Sequence, residues 1–409
     1  MLRVRPFHAI RPRPELAPQV AAVPYDVVNT EEARALADNN PISFLHISRA
    51  EIDLPADTHP YDPIVYQQAR AALDRFLSEG TFLREEQAKL YLYRQIMDGR
   101  AQIGIVGCCH VQDYYDDIIK KHEKTRKDKE DDRTRHVVAL NANSGPVFLT
   151  YRDVPAIDQA VAKDTAQAPL YDFTAPDGVQ HTVWIAQDAE LYRKAFAQVP
   201  TAYVADGHHR SASAARAGAD RKAANPAHTG EEEYNYFLAV LFPASQLAIL
   251  PYNRVIRDLN GLSSAEVREK LAALGSLEPC TKPSPERCGQ CCVYLDKAWY
   301  RLDFDPKTID HTDPIGSLDV SLLQERVLAP LFGIFDPRTD KRVDFVGGIR
   351  GTKELERRVD SGEMAIAFSM YPTTIEQLLA VSDAGLIMPP KSTWFEPKLR
   401  SGLLVHSLD

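Results

Sequence analysis

The sequence has no long hydrophobic run, and its 20 glycines are outnumbered by its 28 prolines. No segment reaches the roughly 18 apolar residues that a membrane-spanning helix needs. The basic residues 1–20 are interrupted by prolines, which argues against a signal peptide. Flexible low-complexity linkers are absent as well, so the proline content predicts connections with fixed backbone angles.

An excess of positive charge is also missing. Acidic residues outnumber basic ones, 57 against 48, and the formal net charge is -9. This balance is unlike that of proteins that bind nucleic acid or anionic membranes through a broad basic surface. No helix-turn-helix pattern is visible either. We therefore expect neither nucleic acid nor a membrane as a partner, and we leave a homodimer open.

The six cysteines do not form the pattern of a disulfide framework. Cys108 is adjacent to Cys109, and Cys291 is adjacent to Cys292, which suits a reduced compartment and predicts a cytoplasmic location. Cys288 and Cys291 have the spacing of a metal-binding pair, but no second pair of this kind follows. Burial of these thiols as small apolar groups is the favoured interpretation, and metal binding by the cluster is left open.

Several common catalytic motifs are missing too. The sequence contains no G-x-S-x-G elbow, no H-E-x-x-H zinc motif and no Walker A motif. These absences exclude several common classes of hydrolase and of nucleoside triphosphatase. Any phosphate chemistry must therefore use another architecture.

Hydrophobic periodicity predicts an α+β protein in which strands and helices alternate irregularly. A helix is expected from Pro63 to near Gly80, where the glycine supplies a stop. Residues 90–96 and 101–111 read as two strands of a hairpin, joined by a turn at Asp98-Gly99. We expect an N-terminal α/β region at 1–95, a central domain at 96–260 and a C-terminal α/β region at 261–409.

The segment ADGHHRS, residues 205–211, lies between a short apolar strand and an Ala-rich helix. Gly207 permits a tight turn, and the free N–H groups at the start of a helix favour an anion, typically phosphate. Arg210 adds a planar set of donors, the two histidines add donors or acceptors, and Asp206 can bind a hydroxyl, an amine or a metal. The alternative is that Asp206 is only an N-cap and that the histidines are ordinary surface groups.

A second candidate lies in the highly charged stretch 113–136, which is expected to be a loop followed by a helix. Here Glu123 follows His122 and is flanked by cations, so it could act as a general base. Arg133, further along the stretch, could hold a phosphate chain. Taken alone, such a stretch is more typical of a solvated charged surface.

Two further segments carry basic residues on constrained backbone. Residues 344–355 place Arg350 in a Gly-rich turn between a strand and a helix, which suits either an anion site or a plain tight turn. Residues 388–402 place Lys391 in a rigid run with three prolines, which suits either a structural loop or part of a site. Both segments are net positive although the whole chain is acidic, so we expect them to join the first two candidates in one basic pocket.

The sequence resembles the family known as domain of unknown function ten-fifteen. The resemblance extends over nearly the whole chain, and it rests on blocks that occur in the family's order. These blocks are RPFHAIRP (5–12), VPYDVV (23–28), HEKT (122–125) with a later Asp132-Arg133, VADGHHRSASA (204–214), FVGGIRG (345–351) and MPPKSTWFEPKLRSGL (388–403).

The Asp-Gly-His-His-Arg turn also resembles the phosphate-binding turn of the ParB/sulfiredoxin superfamily, which includes free serine kinases. The resemblance implies that residues 96–260 form a mixed-sheet, nucleotide-binding domain and that the C-terminal region 261–409 closes its site. The implied partners are a small-molecule substrate and a nucleotide, which is ATP or ADP, or alternatively CTP, with Mg²⁺. The resemblance also implies that Asp206 orients a substrate hydroxyl and that Glu123 accepts its proton. The phosphate-binding residues that it implies are Gly207, His208, His209 and Arg210. The residue patterns add Arg133, Arg350 and Lys391 as candidates, and metal ligands are left unassigned.

These features favour a phosphotransferase that acts on a small hydroxylated metabolite, with free L-serine as the best single candidate. Two alternatives stay open. One is a nucleotide-binding switch that hydrolyses weakly and acts through a partner, and the other is a metal-dependent phosphoesterase. The turn lacks the cysteine of sulfiredoxin, so the sulfiredoxin reaction is disfavoured.

Overall fold

A computed structural model describes residues 1–409, which form two compact units. Unit 1 contains Met1–Leu247 and Pro397–Asp409, and unit 2 contains Ala248–Glu396. None of the helices has the length and apolar character needed to cross a membrane. The predicted regions 1–95, 96–260 and 261–409 stay a sequence prediction. The boundaries of the two units differ from those of the predicted regions. Residues 1–247 lie together in unit 1, and the C-terminal residues return to it.

The strands and helices follow one another in an irregular order. The strands are β1 (Val4–Arg5), β2 (Ala9–Pro12), β3 (Phe82–Arg84), β4 (Tyr91–Met97), β5 (Arg100–His110), β6 (Ile119–Lys120), β7 (Ala142–Asn143), β8 (Val147–Tyr151), β9 (Tyr171–Thr174), β10 (Gln180–Ile185), β11 (Ala202–Asp206), β12 (Tyr236–Pro243), β13 (Ala248–Leu250), β14 (Tyr252–Ile256), β15 (Gly275–Pro279), β16 (Gln290–Leu295), β17 (Ala298–Phe304), β18 (Val343–Gly347), β19 (Ile366–Met370), β20 (Trp394–Glu396) and β21 (Val405–Ser407). The helices are α1 (Ala17–Val20), α2 (Thr30–Ala37), α3 (Leu45–Ser48), α4 (Pro63–Ser78), α5 (Val111–Tyr115), α6 (Lys127–Leu140), α7 (Pro155–Asp164), α8 (Ala189–Phe196), α9 (His208–Ala224), α10 (Ser264–Ala272), α11 (Asp319–Leu323), α12 (Ala329–Phe332), α13 (Gly351–Asp360) and α14 (Ile375–Asp383).

Unit 1 is built on a nine-stranded sheet in the order β6-β11-β8-β12-β5-β4-β10-β9, with β1 also paired to β5. The pairs β6 with β11 and β8 with β12 are parallel, and the other pairs are antiparallel. The central strand β12, YFLAVLFP, is buried at seven of its eight positions, as expected for a strand covered on both faces. The predicted α+β class with a mixed central sheet is confirmed.

A second, four-stranded antiparallel sheet in unit 1 has the order β3-β2-β21-β7. Its apolar residues share a core with the helices of the first 80 residues, including Phe44, Phe76 and Phe82. Strand β21 comes from the C-terminal residues, so these residues complete a sheet that the first residues of the chain begin.

Unit 2 contains a six-stranded antiparallel sheet, β15-β17-β16-β19-β14-β18, and a two-stranded ladder of β13 and β20. Cys291 and Cys292 are buried in β16, and none of the six cysteines forms a disulfide. In the ladder, Ala248 is opposite Glu396, so the chain enters and leaves unit 2 at neighbouring positions.

Local sequence signals account for several of these elements. Helix α4 begins at Pro63 because the Asp62 side chain accepts a hydrogen bond from the Ile64 N–H at 3.0 Å. The predicted hairpin of β4 and β5 is confirmed, and both Asp98 and Gly99 have positive φ, as a two-residue turn of this kind requires. The charged stretch contains α6 as predicted, together with the short elements α5 and β6.

Candidate functional site

The Asp-Gly-His-His-Arg segment joins the end of β11 to the start of α9, as the sequence predicts. Gly207 has a φ of 96°, a conformation that disfavours residues with a side chain. A Cβ at this position would also lie 3.1 Å from Nε of Arg210. The first intrahelical hydrogen bond runs from the Ser211 N–H to the Gly207 carbonyl at 2.9 Å, which leaves the preceding N–H groups directed out of the helix end.

Asp206 is held between two cations. Its Oδ2 accepts a hydrogen bond from Nη2 of Arg210 at 2.6 Å, and its Oδ1 lies 3.2 Å from Nζ of Lys398. Burial alone would raise the pKa of Asp206, but the Lys398 ammonium and the Arg210 guanidinium together hold this pKa well below its ordinary value. The side chain of Asp206 is therefore negatively charged near neutral pH.

Two buried histidines lie beside this carboxylate. The rings of His122 and His208 meet edge to face, with their centroids 4.5 Å apart. Burial lowers the pKa of His122 to about 4, and burial together with the neighbouring His122 also lowers the pKa of His208. Both rings are therefore neutral near pH 7, and Nε2 of His208 has no hydrogen-bond partner although its side chain is only 6% exposed.

Glu123 lies in the loop before α6, with its Oε2 3.8 Å from Nδ1 of His208. Its side chain is 45% exposed, so it faces solvent on one side and the histidine pair on the other. The structure therefore brings the predicted residue Glu123 to the start of α9. This neighbourhood combines the solvent-accessible carboxylate of Glu123, the partly buried, ion-paired carboxylate of Asp206 and the neutral histidine His208.

His209 points to the loop before α6, where its Nε2 accepts a hydrogen bond from the Arg126 N–H at 3.0 Å. Burial lowers the pKa of His209, and the cations Lys129 and Arg126 lower it further. Its ring therefore fixes the end of the loop that carries Glu123. This ring nitrogen is therefore already occupied by the Arg126 N–H.

Arg210 and Arg133 line the same small cavity in unit 1. One Arg210 Nη1–H donates to the Pro146 carbonyl, while its Nε, also buried, has no partner. Arg133 donates from Nε to Asp132 at 2.8 Å, and its guanidinium lies 4.2 Å from the centre of the Tyr25 ring. The two arginines that the sequence suggests for anion binding are thus brought together.

Arg350 and Lys391 lie in unit 2. Arg350 is exposed at the end of the 3₁₀ turn Gly348–Arg350 that precedes α13. Lys391 has its Nζ 5.4 Å from the centre of the Tyr252 ring, and its carbonyl accepts a hydrogen bond from Arg254. Their participation in one basic pocket with the turn of unit 1 stays a prediction.

Three groups at this site were not assigned to it from the sequence patterns. Lys398 pairs with Asp206, Tyr25 lies under Arg133, and Ser401 lines the cavity that the two arginines share. The signals were present, because Tyr25 lies in the VPYDVV block, and Lys398 and Ser401 lie in the last matching block. What the patterns lacked was any indication of which distant residues meet.

No group of three or more histidine, cysteine, aspartate or glutamate side chains is arranged to hold a metal ion. Asp206 has both carboxylate oxygens in ion pairs, and Glu123 contributes a single carboxylate. The protein residues therefore do not form a complete metal site by themselves.

A model of the family described as "Protein of unknown function (DUF1015)" matches residues 4–321. The chain belongs to this family. The resemblance drawn from the sequence blocks is confirmed at this level. A search among curated proteins found no significant match.

Solved structures similar to this DUF1015 chain were also found. A free serine kinase in complex with AMP is 14% identical, with a TM-score of 0.33 over 70% of this chain and 88% of the other. SbnI with a C-terminal truncation, from Staphylococcus aureus, is 13% identical, with a TM-score of 0.37 over 71% and 82%. A conserved hypothetical protein from Pyrococcus furiosus is 13% identical, with a TM-score of 0.32 over 70% and 93%. At these scores the likeness carries no argument about fold or function.

Proposed function

We propose that the chain is a nucleotide-dependent phosphotransferase that acts on a small hydroxylated metabolite, with free L-serine as the best candidate acceptor. One observation carries the proposal. At the start of α9, hydrogen-bond donors without partners lie beside two carboxylates. Phosphoryl transfer depends mainly on positioning the reactants and compensating their charge, which such groups can provide.

The nucleotide phosphates would lie against the start of α9. The free backbone N–H groups of His208, His209 and Arg210 and the positive end of the helix dipole favour an anion there. Gly207 allows the phosphates to approach the backbone closely. ATP or ADP is the proposed donor, and CTP is the alternative to be tested against them.

Glu123 and Asp206 would have different roles in the reaction of the acceptor. Glu123 accepts the proton of the substrate hydroxyl as the oxygen forms its bond to the terminal phosphorus. The bond from that phosphorus to the bridging oxygen breaks, and the shortened nucleotide leaves. Asp206 stays ionised because two cations hold it, and it orients the acceptor.

Mg²⁺ fits this arrangement only together with the nucleotide. It prefers oxygen ligands and is usually held by one or two carboxylates together with phosphates and water. Glu123 and Asp206 are the carboxylates at the site that could complete such a set, and no third protein ligand is grouped with them. When bound, the ion would neutralise charge on the transferred phosphoryl group. We also propose a cytoplasmic location on the basis of the unpaired cysteines.

A product analysis tests the proposal directly. The protein is incubated separately with ATP, ADP and CTP, each with Mg²⁺, L-serine and a mixture of small hydroxylated metabolites, and phosphorylated products are identified by mass spectrometry. We expect a phosphorylated acceptor with at least one nucleotide. In Glu123→Gln the rate should fall by about 10²–10⁴, the usual contribution of a general base, while nucleotide binding persists.

Glu79→Gln, at the end of α4, is the matched control and should retain the wild-type rate. Equal rates in Glu123→Gln and wild type would contradict the role of Glu123. Clear nucleotide binding without any product would instead favour the alternative of a nucleotide-binding switch that acts through a partner. Hydrolysis of phosphate esters without nucleotide would favour the phosphoesterase.

A further inference from the structure

Residues Pro397–Ser401, which we call the C-terminal strap, return to unit 1 and include Lys398, the partner of Asp206. A lysine ammonium is attached to a flexible four-carbon stem, so its position depends on how the backbone below it is held. The Lys398 carbonyl accepts a hydrogen bond from Nε2 of Gln95 at 2.9 Å. Gln95 is on β4 and Asp206 is on β11, with β5, β12 and β8 between them in the sheet. Lys398 therefore connects two separate parts of this sheet.

Gln95 belongs to a row of buried polar side chains on three neighbouring strands. Its Cα partners are His181 on β10 and Gln102 on β5, and each of the three residues is 0% or 1% exposed. Nε2 of Gln102 donates a hydrogen bond to Oε1 of Gln95 at 3.1 Å. A buried amide is costly unless its polar atoms are bonded, and the remaining bond of Gln95 is the one to Lys398. Gln102 thus orients the amide of Gln95 with its donor toward the strap.

The strap is held a second time at Arg400. The Arg400 backbone N–H donates to the Tyr93 hydroxyl oxygen at 3.3 Å, and this oxygen lies 2.7 Å from Nδ1 of His181. Burial lowers the pKa of His181 to about 3, so its ring is neutral near pH 7 and Nδ1 can accept the Tyr93 O–H. The Arg400 guanidinium forms an ion pair with Asp177. Lys398 and Arg400 are therefore both bonded to residues of β4.

The strap ends in a pair of backbone hydrogen bonds. The Ser401 N–H donates to the Ala22 carbonyl at 2.9 Å, and the Ala22 N–H donates to the Ser401 carbonyl at 3.0 Å. The strap backbone is thus fixed at three places, while Nζ of Lys398 lies 3.2 Å from Oδ1 of Asp206. In enzymes a displacement of a reacting group by about 1 Å can reduce the rate by about 10².

We propose that Gln95 is a positioning residue for the transfer reaction, because it holds the Lys398 backbone where the ammonium can fix the carboxylate of Asp206 toward the acceptor. This inference rests on the proposed function. Gln95 contacts neither nucleotide nor acceptor in this role and acts only through Lys398. Its own orientation comes from Gln102, so the chain of contacts runs from the middle of the sheet to the start of α9.

Lysine labelling tests the position of Lys398 without any turnover. The full-length protein is treated briefly with N-hydroxysuccinimide acetate, and acetylation of each lysine is followed by peptide mass spectrometry. The Lys398 side chain is 14% exposed and ion-paired, so it should react slowly in wild type. In Gln95→Met, which keeps the side-chain length but lacks the donor, Lys398 should react severalfold faster. Lys163, exposed on α7, is the internal reference and should react equally in both.

Two further variants separate positioning from a general loss of stability. Tyr192→Phe is the control, because it also removes a buried hydrogen bond, the one to Asp164 at 3.0 Å on α7. It should lower stability without changing the labelling of Lys398. Asp177→Asn removes the ion pair with Arg400 at a side chain that is 48% exposed, so it should fold even if Gln95→Met does not. It should increase the labelling of Lys398 by a smaller factor.

A double-mutant cycle tests the role of Gln95 in turnover. In Gln95→Met the kcat should fall by about 10 to 10², with ATP affinity unchanged. In the Lys398→Met background the same substitution should have no further effect, because Gln95 acts only through that ammonium. Tyr192→Phe should retain the wild-type kcat.

The outcomes separate the two proposals. If Lys398 reacts equally fast in Gln95→Met and wild type, or if the two substitutions lower kcat independently, the positioning role is overturned. If labelling rises as expected but wild type forms no phosphorylated product, Gln95 does position Lys398 and the phosphotransferase proposal fails. If Gln95→Met forms product at the wild-type rate, the phosphotransferase proposal stands and the positioning role fails.

Discussion

At the scale of single residues, Asp206 has an unusual position for a proposed substrate-binding group. Both of its oxygens are already in ion pairs, one with Arg210 and one with Lys398. Such a carboxylate does not change its protonation state near neutral pH, so it serves better to orient a hydroxyl than to accept a proton. Glu123, whose side chain is 45% exposed, is the better base.

Asp206→Asn should destabilise the protein by about 1–3 kcal/mol at pH 7, because it leaves two cations without their shared carboxylate. Since the folded-state pKa of Asp206 is lowered, its stabilising effect is complete above the unfolded pKa of about 3.9 and is lost as pH falls through the folded value. In urea unfolding, the difference in the free energy of unfolding between wild type and variant should therefore be constant from pH 7 to 5. This difference should become smaller below about pH 4. A difference that does not depend on pH would contradict a stabilising role of the ion pairs of Asp206.

His122 and His208 should be neutral at pH 5.5, which ring nitrogen NMR shifts can measure. Burial lowers the pKa of His122 to about 4, while the unfolded chain takes up this proton near pH 6.5. The stabilising effect of the neutral ring is therefore complete above pH 6.5 and declines as pH falls from 6.5 to about 4. A protonated His122 ring at pH 5.5 would show that the site is open to water.

At the scale of elements, the turn between β11 and α9 determines where Arg210 lies. Gly207→Ala should cost about 1–2 kcal/mol of stability because φ is positive there, and it should also weaken nucleotide binding because the new Cβ displaces Arg210. Gly178→Ala has the same backbone strain at a φ of 83° but no atom within 4 Å of the new Cβ. This control should lose similar stability in urea unfolding and bind nucleotide normally.

The same turn shows what the sequence can predict. Its strand, glycine and helix are contiguous, so local propensity and the residue pattern suffice to predict them. The pair of Asp206 with Lys398 is different, because the two residues are 192 positions apart and only the tertiary fold brings them together. Tyr25 beneath Arg133 was missed for the same reason. Periodicity carries no information on such pairings.

At the scale of the whole molecule, unit 2 is an insertion within unit 1. The chain crosses between the units at Leu247 and at Pro397, and the adjoining residues Ala248 and Glu396 are partners in the β13–β20 ladder. Partners in an antiparallel ladder lie about 5 Å apart, so a short linker can span the two crossing points. The residues Glu123, Asp206, Arg210, Arg133 and Lys398 are all in unit 1.

Replacing Ala248–Glu396 with a short Gly-Ser linker should therefore leave a folded unit 1 that still binds nucleotide. Circular dichroism and calorimetry measure the two properties. The same variant tests the prediction that Arg350 and Lys391 contribute to the phosphate site. If they do, nucleotide affinity should fall in the excised protein and also in full-length Arg350→Ala, while unchanged affinity in both would remove them from the site.

The discontinuity of unit 1 also affects how the protein is made. Strand β21 and Lys398 belong to unit 1 but emerge from the ribosome only after all of unit 2 has been synthesised. At roughly 5–20 residues per second this interval is on the order of ten seconds, during which β2 and β7 lack the strand between them. Asp206 and Arg210 would already be in place, but the ammonium partner of Asp206 would not. The nascent chain therefore has no complete site, and the proposed activity would begin only when translation has passed Ser401.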